Sequence, residues 1–209
     1  RHGRLAAVTN VRDPSAPPGR RSRGELVADF VGSDVPLDLY AARVADRGDD
    51  YAGFNLLLFD PAAPHPALYV SNRDPRRVVE VPAGVHGLSN HLLDSDWPKV
   101  RHLSNRLAGA LADPHAPIDT VLLDALADRS QPSDDALPDT GIGLARERVL
   151  APAMIVAPEL GYGTRASTLV AVRRDGRIET FERSWAPDGA SLRVAGDRRA
   201  RFSAARRTP

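Results

Sequence analysis

The chain alternates between two hydrophobic periods, and the changes between them mark its elements. Leu5 to Asn10 is a short apolar run that predicts a strand, closed by the loop residues Asp13-Pro14-Ser15-Ala16-Pro17-Pro18-Gly19. Ser22 and Glu25 then have the spacing of a capping box, and Leu26, Val27, Phe30 and Val31 follow at helical spacing, predicting a helix over 23–32. A second helix is expected from Ser33-Asp34, with Leu37, Tyr40, Ala41 and Val44 on one face and Gly48 ending it. Phe54–Phe59, Leu68–Val70 and Val78–Val81 are apolar runs cut by Pro, Gly and Asp, which reads as three strands. Helical spacing returns at 97–112, through Val100, Leu103, Leu107 and Leu111, and again at Ile118–Leu126. Residues 129–143 are polar and read as a loop; Met154–Ala157 and Thr168–Val172 read as strands. Asp175-Gly176, between Thr168–Val172 and Ile178–Phe181, predicts a hairpin with a two-residue turn, because Asp-Gly tolerates positive φ. The order is a strand, two helices, strands, two helices, then strands in hairpins. It argues for an α+β domain with mostly antiparallel sheets over 1–192. From Arg193 the apolar pattern fades into an arginine-rich stretch, expected as a C-terminal tail over 193–209.

Composition adds less. The 209 residues carry 28 basic and 27 acidic side chains, a net charge of +1, so no global field points to nucleic acid. No apolar run approaches the length of a bilayer span. Membrane insertion is therefore not expected, the expected location is cytoplasmic, and the oligomeric state is not legible. All but Lys99 of the basic residues are arginine, a bias expected of a GC-rich bacterial genome. The cysteine count of zero excludes a disulfide framework, a thiolate zinc site and a cysteine nucleophile within these residues. The chain opens on Arg1 with no leader pattern, so the sequence alone is expected to be a fragment.

No catalytic constellation is complete. The histidines His2, His65, His86, His91, His102 and His115 lack metal-ligand spacing, and His86 and His91 flank a Gly-Leu-Ser-Asn turn where a surface role is expected. Asp134, Asp135 and Asp139 lack the glycine and terminal glutamate of a calcium loop. No cofactor is expected. Three segments do place polar residues where strands meet turns: Ala7–Asn10, Gly87–Asn90 and Gly161–Arg165. An asparagine amide offers two donors at no cost in charge, which suits an oxyanion, and an arginine can fix a carboxylate. The alternative, that the asparagines satisfy turns and the glycines set a tight loop, stays open.

The segments Arg4-Leu5-Ala6-Ala7-Val8-Thr9-Asn10, Arg23-Gly24-Glu25-Leu26-Val27, Tyr51-Ala52-Gly53-Phe54-Asn55-Leu56, Gly87-Leu88-Ser89-Asn90-His91-Leu92-Leu93-Asp94-Ser95-Asp96-Trp97-Pro98-Lys99, Gly161-Tyr162-Gly163-Thr164-Arg165 and Phe181-Glu182-Arg183-Ser184 together resemble the Transport and Golgi organisation 2 family, or NRDE family. Asn72-Arg73-Asp74 lies mid-chain before Pro75 and is not the family's eponymous motif. The family's Met-Cys start, its Asn-Arg-Asp-Glu segment and its Gly-Gly-Thr-Trp-Leu-Gly stretch are all absent.

The resemblance implies the four-layer αββα sandwich of N-terminal-nucleophile hydrolases, here without its first strands. In that fold a terminal Cys, Ser or Thr attacks an amide and its own amine serves as base. By motif position Asn10 and Asn90 resemble the oxyanion and substrate donors of the bile-salt and penicillin acylases, and Arg165 the arginine beside the nucleophile. Asn55, Trp97 and Tyr162 are the substrate-binding candidates within the same motifs. The implied activity is hydrolysis of a linear amide, which residues 1–209 are expected to lack for want of the nucleophile. The competing expectation is a non-catalytic binding or trafficking protein for lipid, acyl-CoA or haem on the same scaffold. The expected partner is thus a small amide, acyl or haem-like ligand.

Overall fold

The computed structural model describes residues 3–203. The chain divides into two compact units, residues 3–95 and 96–203.

In the first unit, β1 (Leu5–Asn10) leads to α1 (Arg23–Gly32) and α2 (Leu37–Asp46), followed by β2 (Phe54–Phe59), β3 (Ala67–Ser71) and β4 (Val78–Glu80). The strands form one antiparallel sheet in the order β1-β2-β3-β4. The capping box is present: the Ser22 hydroxyl accepts from Gly24 N, and Glu25 accepts from Ser22 N at 3.1 Å. The second helix begins later than the sequence suggests, at Leu37 with Pro36 as its cap. Proline disfavours helical backbone in the residue before it, so Ser33 to Val35 stay extended or turned.

Alternation along β2 sends Phe54, Leu56 and Leu58 to one face, where they join Leu68 and Val70 against Leu26, Phe30, Leu37, Tyr40, Ala41 and Val44 of the two helices. Tyr40 meets Phe30 with ring centroids 5.2 Å apart, and its hydroxyl donates to Leu26 O at 2.8 Å. Just outside the Leu5–Phe59 pair, Arg4 and Asp60 form a buried ion pair at 2.7 Å. Asn72 is a structural clamp: its amide donates to Gly48 O and Tyr51 O and its carbonyl accepts from Phe54 N. That use agrees with reading the surrounding tripeptide as no signature.

The second unit holds α3 (Pro98–Ala112), α4 (Ile118–Leu126), α5 (Leu144–Leu150), β5 (Val156–Ala157), β6 (Tyr162–Gly163), β7 (Ala166–Val172), β8 (Arg177–Asp188) and β9 (Ser191–Ser203). β5 pairs with β6, and β7-β8-β9 form a second antiparallel sheet. α3 packs on α4, and α4 on β7. Phe181 is buried at the sheet, with the Arg199 guanidinium 4.5 Å from its ring centroid, and Arg199 pairs with Asp119 of α4.

Several expectations change here. Leu111, expected on the apolar stripe of α3, is 60% exposed, and Ala110 is buried instead. The Asp-Gly turn closes over three residues, not two: Arg173 N bonds to Arg177 O, Gly176 N bonds to Arg173 O, and Gly176 has φ 84°. This is the type I turn followed by a left-handed glycine, the next commonest hairpin after the two-residue form. The expected strand at Met154–Ala157 shortens to the last two residues. α5 was not foreseen. The stretch expected as a tail is β9 as far as Ser203, paired with β8 along its length, and the remainder of that stretch lies outside the described residues. The α+β class with antiparallel sheets stands, and each unit sets helices against a sheet.

Candidate functional site

An asparagine in the middle of the apolar run Phe-Asn-Leu-Leu-Leu-Phe must either face water or have its amide satisfied. Asn55 lies on the face of β2 away from the helices, with Thr9 beside it on β1, and it is fully buried. Its amide donates to Thr9 Oγ1 at 3.1 Å and to His91 O at 2.8 Å, and its carbonyl accepts from the Tyr69 hydroxyl at 2.7 Å. Burial pushes the Tyr69 phenol up, so it stays a neutral donor. Thr9 Oγ1 in turn donates to Ser89 O at 2.7 Å. The sheet thus holds two carbonyls of the 86–95 loop, one on each side of Asn90.

The loop is also closed on itself. Asp94, with φ 57°, makes two hydrogen bonds with Gly87, its side-chain carboxylate accepting from Gly87 N and its main-chain amide donating to Gly87 O, both at 2.8 Å. His86 Nδ1 lies 2.7 Å from Asp94 Oδ2, and its Nε2 lies 3.1 Å from Pro82 O. The hydrogen bond to Asp94 raises the His86 pKa above its ordinary value. His91 Nδ1 lies 2.8 Å from Ser95 Oγ.

This frame presents Asn90. Its amide donates to Asn10 O at 3.0 Å, and its main-chain carbonyl accepts from Arg12 N at 2.8 Å. An asparagine amide has two N–H groups, and the bond to Asn10 uses one. Asn10 ends β1 and is exposed. Strand alternation puts its side chain on the face of Ala6 and Val8, so the two asparagines meet through the Asn10 carbonyl and not amide to amide. Two of the six expected site residues are thereby brought together, and Asn55 holds the loop that carries one of them.

The other three lie in the second unit. Arg165 is exposed between β6 and β7, where its carbonyl accepts from Trp185 N at 2.9 Å. Tyr162 is 57% exposed on β6. Trp97 is buried at the start of α3, as its N-cap. Sequence reasoning missed Thr9 and Tyr69, whose roles depend on strand register. The polar residue inside β2 was the signal that a partner set existed. Among the described residues no three His, Asp or Glu side chains are arranged to hold a metal ion.

The family model for Transport and Golgi organisation 2 matches residues 1–187. The chain belongs to this family. A Transport and Golgi organization protein 2 homolog from Bos taurus is 34% identical over 189 residues, covering 87% of this chain and 68% of that protein. The Homo sapiens homolog is 34% identical over 190 residues with the same coverage, and a Mus musculus homolog is 32% identical. Every motif that carried the resemblance lies inside the Transport and Golgi organisation 2 match, whereas β9 lies beyond it. No helix among the described residues is long and apolar enough to cross a membrane.

Proposed function

We propose that this Transport and Golgi organisation 2 chain carries the carbonyl-polarising part of an amide-hydrolase site, with Asn90 as the donor to the developing oxyanion. The observation that carries the reading is the fixed Asn90 amide, which spends one N–H on the Asn10 carbonyl and keeps the other to give. A donor already held in place loses little freedom when charge develops on the carbonyl oxygen, the condition under which such donors are most effective. Asn10 positions Asn90 through its main-chain carbonyl, while its own exposed side chain lies on the other face of β1 from Thr9. Arg165 keeps the nucleophile-orienting role that the resemblance implies, and Tyr162 and Trp97 stay candidates for substrate contact.

No cysteine occurs in the 209 residues, so the attacking group of this reading is not among them. What they supply is binding and polarisation. The test is a calorimetric titration with a neutral linear amide, N-butylbutanamide, against the chain and its Asn90→Ala variant. Saturable binding that weakens about two- to tenfold in the variant is expected for the loss of a neutral hydrogen bond worth about 0.5–1.5 kcal/mol. Equal binding by the two proteins sinks the reading.

A further inference from the structure

The second unit contains a cavity of about 600 Å³, within the usual range for small-molecule sites. It opens between the polar segment after α4, the outer side of α5 and the approach to β5. Val149, Pro152, Met154 and Val156 form its apolar wall, and Arg129 and Arg148 also line it.

The walls are tied together. Met154 N donates to Asp128 O at 2.9 Å, and Lys99 Nζ donates to Leu150 O at 2.7 Å. Arg148 grips Asp134 with Nε and Nη2, at 2.8 and 2.6 Å. On the other side of α5, the buried Glu147 accepts from both Thr140 N and Thr140 Oγ1. A cavity with bonded walls costs little to organise when a ligand enters.

The charges around it do not cancel. Arg148 is matched by Asp134, whose carboxyl its hydrogen bonds hold below the usual carboxylate range. Arg129 has one bond, from Nη1 to the neutral Ser191 hydroxyl at 3.2 Å, and no ion-pair partner among the described residues. The lining therefore carries one net positive charge, on a planar fork with donors to spare. A neutral apolar ligand would cover Arg129 without pairing it, which is costly. A phosphate dianion would bring more charge than the lining matches and would waste the apolar wall. A carboxylate fits the guanidinium fork in geometry as well as charge.

We propose that this cavity is a binding site for a small organic carboxylate with an apolar body, the carboxylate on Arg129 and the body against Val149, Met154 and Val156. The lining shares no residue with the Asn10–Asn90 pair, and the proposal does not depend on the function proposed for that pair.

Met154 is the chain's only methionine, so a methyl-labelled sample reports from the cavity wall alone. Benzoate is the probe, because its ring shifts a methyl group packed against it. The expected result is a saturable shift of the Met154 methyl with benzoate. Benzyl alcohol, the neutral counterpart, and inorganic phosphate should each bind on the order of tenfold more weakly or worse. Arg129→Gln, at an exposed position, should weaken benzoate by a similar factor, and Arg129→Lys should restore part of it. An unmoved Met154 methyl, equal binding of benzyl alcohol or phosphate, or full benzoate affinity in Arg129→Gln would each overturn the proposal.

Discussion

Replacing Asn55 tests whether the 86–95 loop is held by the sheet in the way its hydrogen bonds indicate. Asn55→Ala removes three bonds at once: two donated to Thr9 Oγ1 and His91 O and one accepted from Tyr69. Thr9 keeps its bond to Ser89 O, so two groups, the Tyr69 hydroxyl and the His91 carbonyl, lose a partner. At about 1–3 kcal/mol for each polar group that loses this partner, the cost is about 2–6 kcal/mol. For a chain of this size that corresponds to a fall in Tm of about 4–24 °C. The loss should also be local. The Arg12 amide, which bonds to Asn90 O, should exchange its hydrogen faster than the β2–β3 ladder does. Tyr69→Phe should cost less, about 1–3 kcal/mol, since it removes one of the three Asn55 bonds and keeps the two that hold Thr9 and His91. Thermal unfolding and amide exchange by NMR give both readouts. A drop below about 0.5 kcal/mol, within the ordinary scatter of surface substitutions, would refute the hub. So would an Arg12 amide that exchanges no faster than before.

Two further outcomes follow from buried and loop charges. Arg4→Met leaves the Asp60 carboxylate buried without its cation and should cost about 3–5 kcal/mol in urea unfolding, while the double change with Asp60→Leu should recover most of it; an unchanged midpoint in Arg4→Met would contradict the pairing. His86 should titrate above its ordinary value because of Asp94, and Asp94→Asn should bring it back toward about 6.5. With the folded value raised, the contribution of this pair to stability is complete below about 6.5 and is lost as pH rises through the raised value. An NMR titration of the imidazole, in which Asp94→Asn changes nothing, would remove that link.

What the sequence shows of this protein divides by range. α1 was legible because Ser22 and Glu25 act within one turn of it. α2 began later only because Pro36 restrains the residues before it. Asn55 was visible as an anomaly in an apolar strand, but its partners lie 46, 36 and 14 residues away and depend on register. The sequence paired Asn10 and Asn90 only by resemblance, and the actual link, amide to main-chain carbonyl, is invisible to side-chain reasoning.

β9 was missed for an opposite reason. Its arginines look like a solvated tail until Asp119 and Glu179 are brought beside Arg199 and Arg201, and its own Asp197 beside Arg183 of β8. α5 spans seven residues, too short for periodicity to declare itself, and its anchor is the Glu147–Thr140 bond that no pattern announces.

The most direct test of the central claim is one proton–nitrogen spectrum of the side-chain amides during titration with N-butylbutanamide. The chain has only Asn10, Asn55, Asn72, Asn90, Asn105 and Gln131 to observe. The account predicts a saturable shift at the Asn90 amide, with the buried Asn55 and the clamped Asn72 unmoved. Saturable binding that leaves Asn90 in place, or no binding at all, would contradict it.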